Sequence, residues 1–135
     1  MSAAAPRFGR VATGVAQRQL DALVHSTPGV VSVVLLSADG FEVASLQTGK
    51  GGAARLAAMG SSLSAIGSAI AREAGIVECN RMIIESDSGT IVIMTIPDAR
   101  PPLSLAIIAG EGCVLGRLLW AAKNCCIAIA RAFSE

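Results

Sequence analysis

Pro28-Gly29-Val30-Val31-Ser32-Val33-Val34-Leu35-Leu36-Ser37-Ala38-Asp39-Gly40-Phe41-Glu42-Val43-Ala44 reads as strand, turn, strand. Asp39-Gly40 is a strong hairpin signal, because glycine takes positive φ without a Cβ clash. The first strand, Val30 to Leu36, is apolar on both faces; the second, Phe41 to Leu46, alternates, with Glu42 on one face and Phe41 and Val43 on the other. Upstream, a first helix runs from near Val11 or Ala12 to Ser26, with Ala16, Leu20, Leu23 and Val24 on one face. Thr27-Pro28-Gly29 ends it, since proline disfavours a helical residue before it.

Downstream, past a glycine-rich loop from Gln47 to Gly52, the spacing predicts a helix over Ala53 to Glu73 with two stripes. Leu56, Met59, Leu63, Ile66 and Ile70 make one large apolar stripe. Ala53, Ala57, Gly60, Ser64, Gly67 and Ala71 make a second, nearly flat one about 110° away. One stripe can dock on the sheet. Each interior glycine costs about 1 kcal/mol against alanine, so Gly60 and Gly67 need a reason. Close approach by a second helix is the natural reason, and the small-residue stripe is expected to meet a second copy of the chain; the alternative is that these residues fit beneath an element of the same chain. Contact with a second copy makes the small-residue stripe an interface, and Gly60→Leu or Gly67→Leu would then break association.

A second hairpin follows, Cys79 to Glu85 and Thr90 to Ile96, joined through Ser86-Asp87-Ser88-Gly89. A fifth strand, Leu103 to Ala109, precedes a third helix from about Gly112 to Ala132. Strands one, four and five are apolar on both faces, so helices should cover both sides of the sheet. Strands two and three are more polar and make better edges. The whole is expected to be a single domain over 11–135 after a disordered tail over 1–10, of α+β type. Trp120 and Ile127 lie off the main stripe of the third helix and either anchor a partner or pack on the first helix.

Composition narrows the function classes. The chain has 135 residues, 53% of them apolar, and a mean hydropathy of +0.61. That surplus is hidden either in a membrane or in an assembly. The best uncharged candidate for a span, Leu56 to Ala71, is too short and too rich in glycine and serine to cross a bilayer, and no signal peptide is evident near Met1. A cytoplasmic oligomer is expected, without membrane insertion. A net charge of +1 and 3% aromatics argue against nucleic acid.

No motif points to catalysis, a cofactor or a metal. Cys79, Cys113, Cys125 and Cys126 form no C-x-x-C pair, and the single histidine, His25, is distant; buried reduced thiols are expected. Vicinal Cys125-Cys126 leaves a redox role as the alternative. Gly110-Glu111-Gly112-Cys113-Val114-Leu115-Gly116 follows a strand and opens a helix, but its spacing departs from the dinucleotide fingerprint and no later strand carries an acidic residue for a ribose. Gly49-Lys50-Gly51-Gly52 lacks the phosphate-loop spacing. His25, with no nucleophile elbow nearby, is expected to serve the end of the first helix. Asp39, Glu42, Glu78, Glu85 and Asp87 fall on turns and edge strands, where solvated charge is the default.

The element order, the Pro-Gly-Val start of strand one, the Ala-Asp-Gly-Phe hairpin and the alanine-rich second helix together resemble the Roadblock family of dynein light-chain-like proteins, over roughly Val11 to Phe133. The resemblance implies a five-stranded antiparallel sheet with the second helix on one face and the first and third on the other. It also implies homodimers formed by second helices and third strands, which here directs attention to Ala53, Ala57, Gly60, Ser64, Gly67 and Ala71 and to Asn80, Arg81, Met82 and Ile83. Bacterial members often work beside a Ras-like small GTPase, as activators or regulators. Such activators need not supply an arginine, so none is named catalytic here, although Arg55 and Arg72 flank the second helix and are candidates to face a partner. The expectation is a non-enzymatic homodimeric regulator of a small GTPase; the alternatives are a scaffold subunit with no effect on nucleotide turnover and a small-molecule sensor.

Overall fold

In the computed structural model, residues 8–47 and 52–134 are described. The order is α1 (Arg10–Ser26), β1 (Val30–Ser37), β2 (Glu42–Gln47), α2 (Ala53–Glu73), β3 (Arg81–Ser86), β4 (Gly89–Thr95), β5 (Leu103–Gly110) and α3 (Leu115–Phe133). The five strands form one antiparallel sheet in the order β2-β1-β5-β4-β3. β2 and β3 are its edges, as their polarity predicts.

The expected hairpin turn sits at Asp39-Gly40. Gly40 has φ +88°, its N–H donates to the Ser37 carbonyl at 2.9 Å, and the Phe41 N–H donates to Ser37 Oγ at 3.1 Å. β1 pairs with β2 through Val33↔Leu46 and Leu35↔Ala44, and with β5 through Val34↔Ala106. Alternation then sorts the side chains into two layers. Val33, Leu35, Val92, Leu105 and Ile107 face α1 and α3, within a core that includes Leu20, Leu118 and Ile129. Val34, Leu36, Ile93 and Ala106 face α2. The layers are unequal: among the described residues, twenty-one buried side chains make up the core shared by the sheet with α1 and α3, and five the core it shares with α2. The α2 side is therefore only partly closed.

The boundaries at both ends differ from the sequence expectation. Phe8 is half-buried and meets Phe133 edge-on at 5.8 Å between ring centroids, and Arg10 is already helical. Residues 8–10 thus belong to the domain and not to a tail; residues 1–7 lie outside the described residues. α3 begins at Leu115 and not near Gly112, because Gly112 has φ +88° in the turn before it. Among the described residues, no helix is long and apolar enough to cross a membrane.

Candidate functional site

The two stripes of α2 are placed opposite to the sequence expectation that the small-residue side faces a partner. Ala57, Gly60, Gly67 and Ala71 are buried, and Ala53 and Ser64 are half-buried. The small residues let α2 descend onto bulky side chains of its own sheet. A Cβ at Gly60 would stand 3.4 Å from Leu36 Cδ2, and one at Gly67 would stand 2.7 Å from Met82 Sδ and 3.2 Å from Cys79 Sγ. The hairpin turn locks the helix from the other side, with Ser61 Oγ donating to the Ala38 carbonyl at 2.6 Å. The groove is thus filled by the chain itself, and Gly60→Leu or Gly67→Leu would strike the monomer first.

The large stripe faces outward. Met59 is 62%, Ile66 54% and Ile70 63% exposed, with Leu56 and Leu63 half-buried beside them. α2 packs mainly over β1, β2 and β5, and beyond Met82 and Ile93 the β3 side of the sheet continues past it uncovered. The result is an apolar trough of about 500 Å³, walled by Leu56, Met59, Leu63 and Ile66 and floored by Ile84, Ile91 and Ile93. Ile84 pairs with Ile91 across β3 and β4. Beyond them β3 has no second neighbour, so one edge of the sheet stands open.

The β3 residues named from sequence divide between the two faces. Met82 lies under α2 against Gly67, whereas Arg81 lines a cleft of about 800 Å³ shared with Arg72, Val77, Asp98, Lys123 and Ile127. Ile83 is exposed and falls on Arg81's side of the strand. Asn80 is exposed and precedes the strand, its carbonyl accepting from the Thr95 N–H at 3.0 Å. Arg55 and Arg72 are both exposed but stand at opposite ends of α2, about 25 Å apart along its axis. Ile84, Ile91 and Ile93 were not singled out from the sequence; the available signal was the apolar character of both faces of β4 so close to an edge.

The remaining candidates have local roles. His25 Nδ1 bonds the Asp21 carbonyl at 2.9 Å in the last turn of α1. Glu42 accepts from Ser45 Oγ at 2.6 Å. All four cysteines are free thiols. Burial pushes Cys125 and Cys126 up to about 12, with mutual repulsion adding to the second, and burial raises Cys113 against an opposing pull from Arg117. Such thiols are poor nucleophiles. No group of three or more His, Cys, Asp or Glu side chains among the described residues is placed to hold a metal ion. Gly49, Lys50 and Gly51 lie outside the described residues.

Residues 16–100 match the sequence profile of the Roadblock/LC7 domain. No curated protein matches the chain. Among solved structures, a Roadblock/LC7 domain from Streptomyces avermitilis is 23% identical, with a TM-score of 0.75 over 84% of this chain and 92% of that one. MglB from Myxococcus xanthus is 16% identical, with a TM-score of 0.84 over 96% of this chain and 94% of that one. The gliding protein MglB from Thermus thermophilus is 17% identical, with a TM-score of 0.84 over 98% of both chains. At these identities the likeness is one of fold.

Proposed function

This chain belongs to the Roadblock/LC7 domain family, and from that premise we propose that it is a non-enzymatic homodimer that binds a Ras-like small GTPase and alters its nucleotide cycle. The observation that carries the dimer is the uncovered trough beside α2. Its lining is apolar apart from Ser62, with no set of convergent polar groups, which suits a protein surface better than a small ligand.

A second copy of α2 fits that trough antiparallel to the first. Leu56, Met59, Leu63, Ile66 and Ile70 are nearly palindromic about Leu63. A two-fold axis at Leu63 sets Leu56 against Ile70 of the partner subunit and Met59 against Ile66 of the partner subunit. Arg55 lies eight residues before Leu63 and Glu73 ten after, about 12 and 15 Å along the axis. Antiparallel packing therefore brings Arg55 level with Glu73 of the partner subunit, on the solvent side of the seam, twice per dimer. The same operation sets the open β3 edges against each other, giving a continuous sheet. Self-complementarity of this kind is what a two-fold interface requires.

The GTPase as partner class comes from the family; the activity proposed is regulation of a partner's own chemistry. The test is to mix the purified chain with Ras-like GTPases encoded beside it and follow co-elution, hydrolysis and nucleotide exchange. Binding with altered turnover is expected. Absence of binding to any of them overturns the proposal, and co-elution with unchanged turnover replaces it with a scaffold subunit.

A further inference from the structure

α1 and α3 form an outer layer on the opposite face of the sheet. They run antiparallel, with the Cys125 thiol donating to the Gln19 carbonyl at 3.7 Å and Phe8, just before α1, on Phe133 at the end of α3. Buried residues fix the inward side of each helix: Ala16, Leu20 and Leu23 on α1, and Leu118, Ala122 and Ile129 on α3. At about 100° per residue, Val11, Arg18 and His25 then point away from the sheet, as do Trp120, Ile127 and Arg131, with Arg117 and Lys123 on the shoulders of α3. All of these are exposed.

The described residues of the two helices expose no carboxylate, and the acids nearest the face, Glu78 and Asp98, lie at its border, in the cleft beside Lys123 and Ile127. The one acid in the two helices, Asp21, is half-buried and bonded by Gln17, which also donates to the Ser45 carbonyl of β2. The two helices hold five of the chain's eleven Lys and Arg residues and one of its ten Asp and Glu residues, so the layer is +4 and the rest of the chain −3. The near-neutral total thus conceals a basic face. At its centre stands the chain's single tryptophan, Trp120, 71% exposed, with Ile127 39% exposed one face-repeat further on. The α3 cations extend over about 21 Å from Arg117 to Arg131. Lys123 and Ile127 stand where this face borders the larger cleft, whereas Arg18, Arg117, Trp120 and Arg131 lie outside both clefts. Cations spread along a surface, around an indole that has an apolar body and a polar N–H, fit a distributed layer of anions over an apolar interior.

We propose that the α1–α3 layer docks on a membrane leaflet containing anionic lipid. Trp120 and Ile127 sit at headgroup level, and Arg18, Arg117, Lys123 and Arg131 lie over the lipid phosphates. Docking here is peripheral, since the apolar faces of both helices are already committed to the core. It rests on the dimer of the preceding subsection in one respect: a two-fold axis perpendicular to the sheet turns both α1–α3 layers to the same side, and two linked faces bind with avidity.

The sole tryptophan makes the test direct. The full chain is mixed with phosphatidylcholine vesicles, with and without phosphatidylglycerol, and both Trp120 emission and co-sedimentation are followed. A blue shift and co-sedimentation are expected with phosphatidylglycerol only, and both are lost at high salt through screening. At about fivefold per cation, Lys123→Gln with Arg131→Gln lowers the partition coefficient about 25-fold, and Trp120→Ser also weakens co-sedimentation, neither with a change in melting temperature. Unchanged emission and no co-sedimentation with phosphatidylglycerol at low salt overturn the proposal and leave the face for an acidic protein surface; equal binding to both vesicle types overturns it as well. A wild-type chain that is monomeric in solution but still binds the anionic vesicles upholds docking and removes the dimer.

Discussion

Ile66→Asp separates the interface from the fold. Ile66 is 54% exposed at the wall of the trough, so covering the rest of it recovers about half of the roughly 1.5–3 kcal/mol that full burial of such a side chain provides. The axis at Leu63 counts that twice, about 2–3 kcal/mol per dimer. An aspartate at the same place must also lose water in an apolar trough, at about 1–3 kcal/mol per copy on the mutational scale. Together these exceed about 4 kcal/mol, so the dissociation constant rises by about a thousandfold or more. The isolated monomer should scarcely notice, because an exposed helical site away from the core shifts stability by about 0.5 kcal/mol or less. Sedimentation velocity across a dilution series reads the first effect, and urea unfolding of the dissociated chain reads the second. A variant that stays dimeric at every concentration refutes the placement of the large stripe at the interface. A variant that is monomeric because it is unfolded refutes the placement of Ile66 on the outside.

Three further outcomes follow from the same geometry. Arg55→Glu and Glu73→Arg each weaken association by several-fold at low salt, whereas the two together restore it; two exposed pairs at about 0.2–1 kcal/mol each set the scale, and sedimentation at low and high salt checks it. Gly60→Ala stabilises the fold by about 1 kcal/mol through helix propensity and so raises the urea midpoint, because its Cβ meets Leu36 at an ordinary 3.4 Å; Gly67→Ala forfeits that gain, since its Cβ would stand 2.7 Å from Met82 Sδ. Cys125 and Cys126 resist alkylation at pH 8 until denaturant is added. Their thiol pKa values, raised to about 12 in the fold, keep the proton that the unfolded chain releases above about 9. The two thiols' contribution to stability is therefore flat below pH 9 and falls as pH rises from 9 toward 12, by about 1.4 kcal/mol per pH unit for each thiol, as denaturation midpoints across that range would show.

The topology was legible because its signals are local and chemically strict. Asp39-Gly40 must turn, and it does so with Gly40 at φ +88°; β1, β4 and β5 are apolar on both faces and must be interior. β2 and β3 announced themselves as edges through Glu42, Arg81 and Glu85. The clefts were less legible, since they join residues far apart in the chain. Ile84 reaches Met59 and Ile66 only because β3 turns back beside β4 under the free side of α2. Lys123 reaches Arg81 only because α3 returns over the other face.

The reversal of the α2 stripes has a different cause. Helical periodicity locates a stripe but does not say which way it points, and apolar size is a poor guide when the opposing surface is already bulky. The strands beneath α2 present Val34, Leu36, Met82 and Ile93. Close packing at crystal-like density needs large against small, so the helix supplies Ala57, Gly60, Gly67 and Ala71. Gly60 and Gly67 thus serve close approach, as their cost demands, but to the chain's own sheet. Met59, Ile66 and Ile70 are then left in water, with Ile84 of β3 42% exposed beside them. Four large apolar side chains on one continuous surface, bounded by an open strand edge, exceed what a monomer ordinarily exposes without a partner. The same bulky strands that pull the glycines inward therefore create the surface that calls for a second copy.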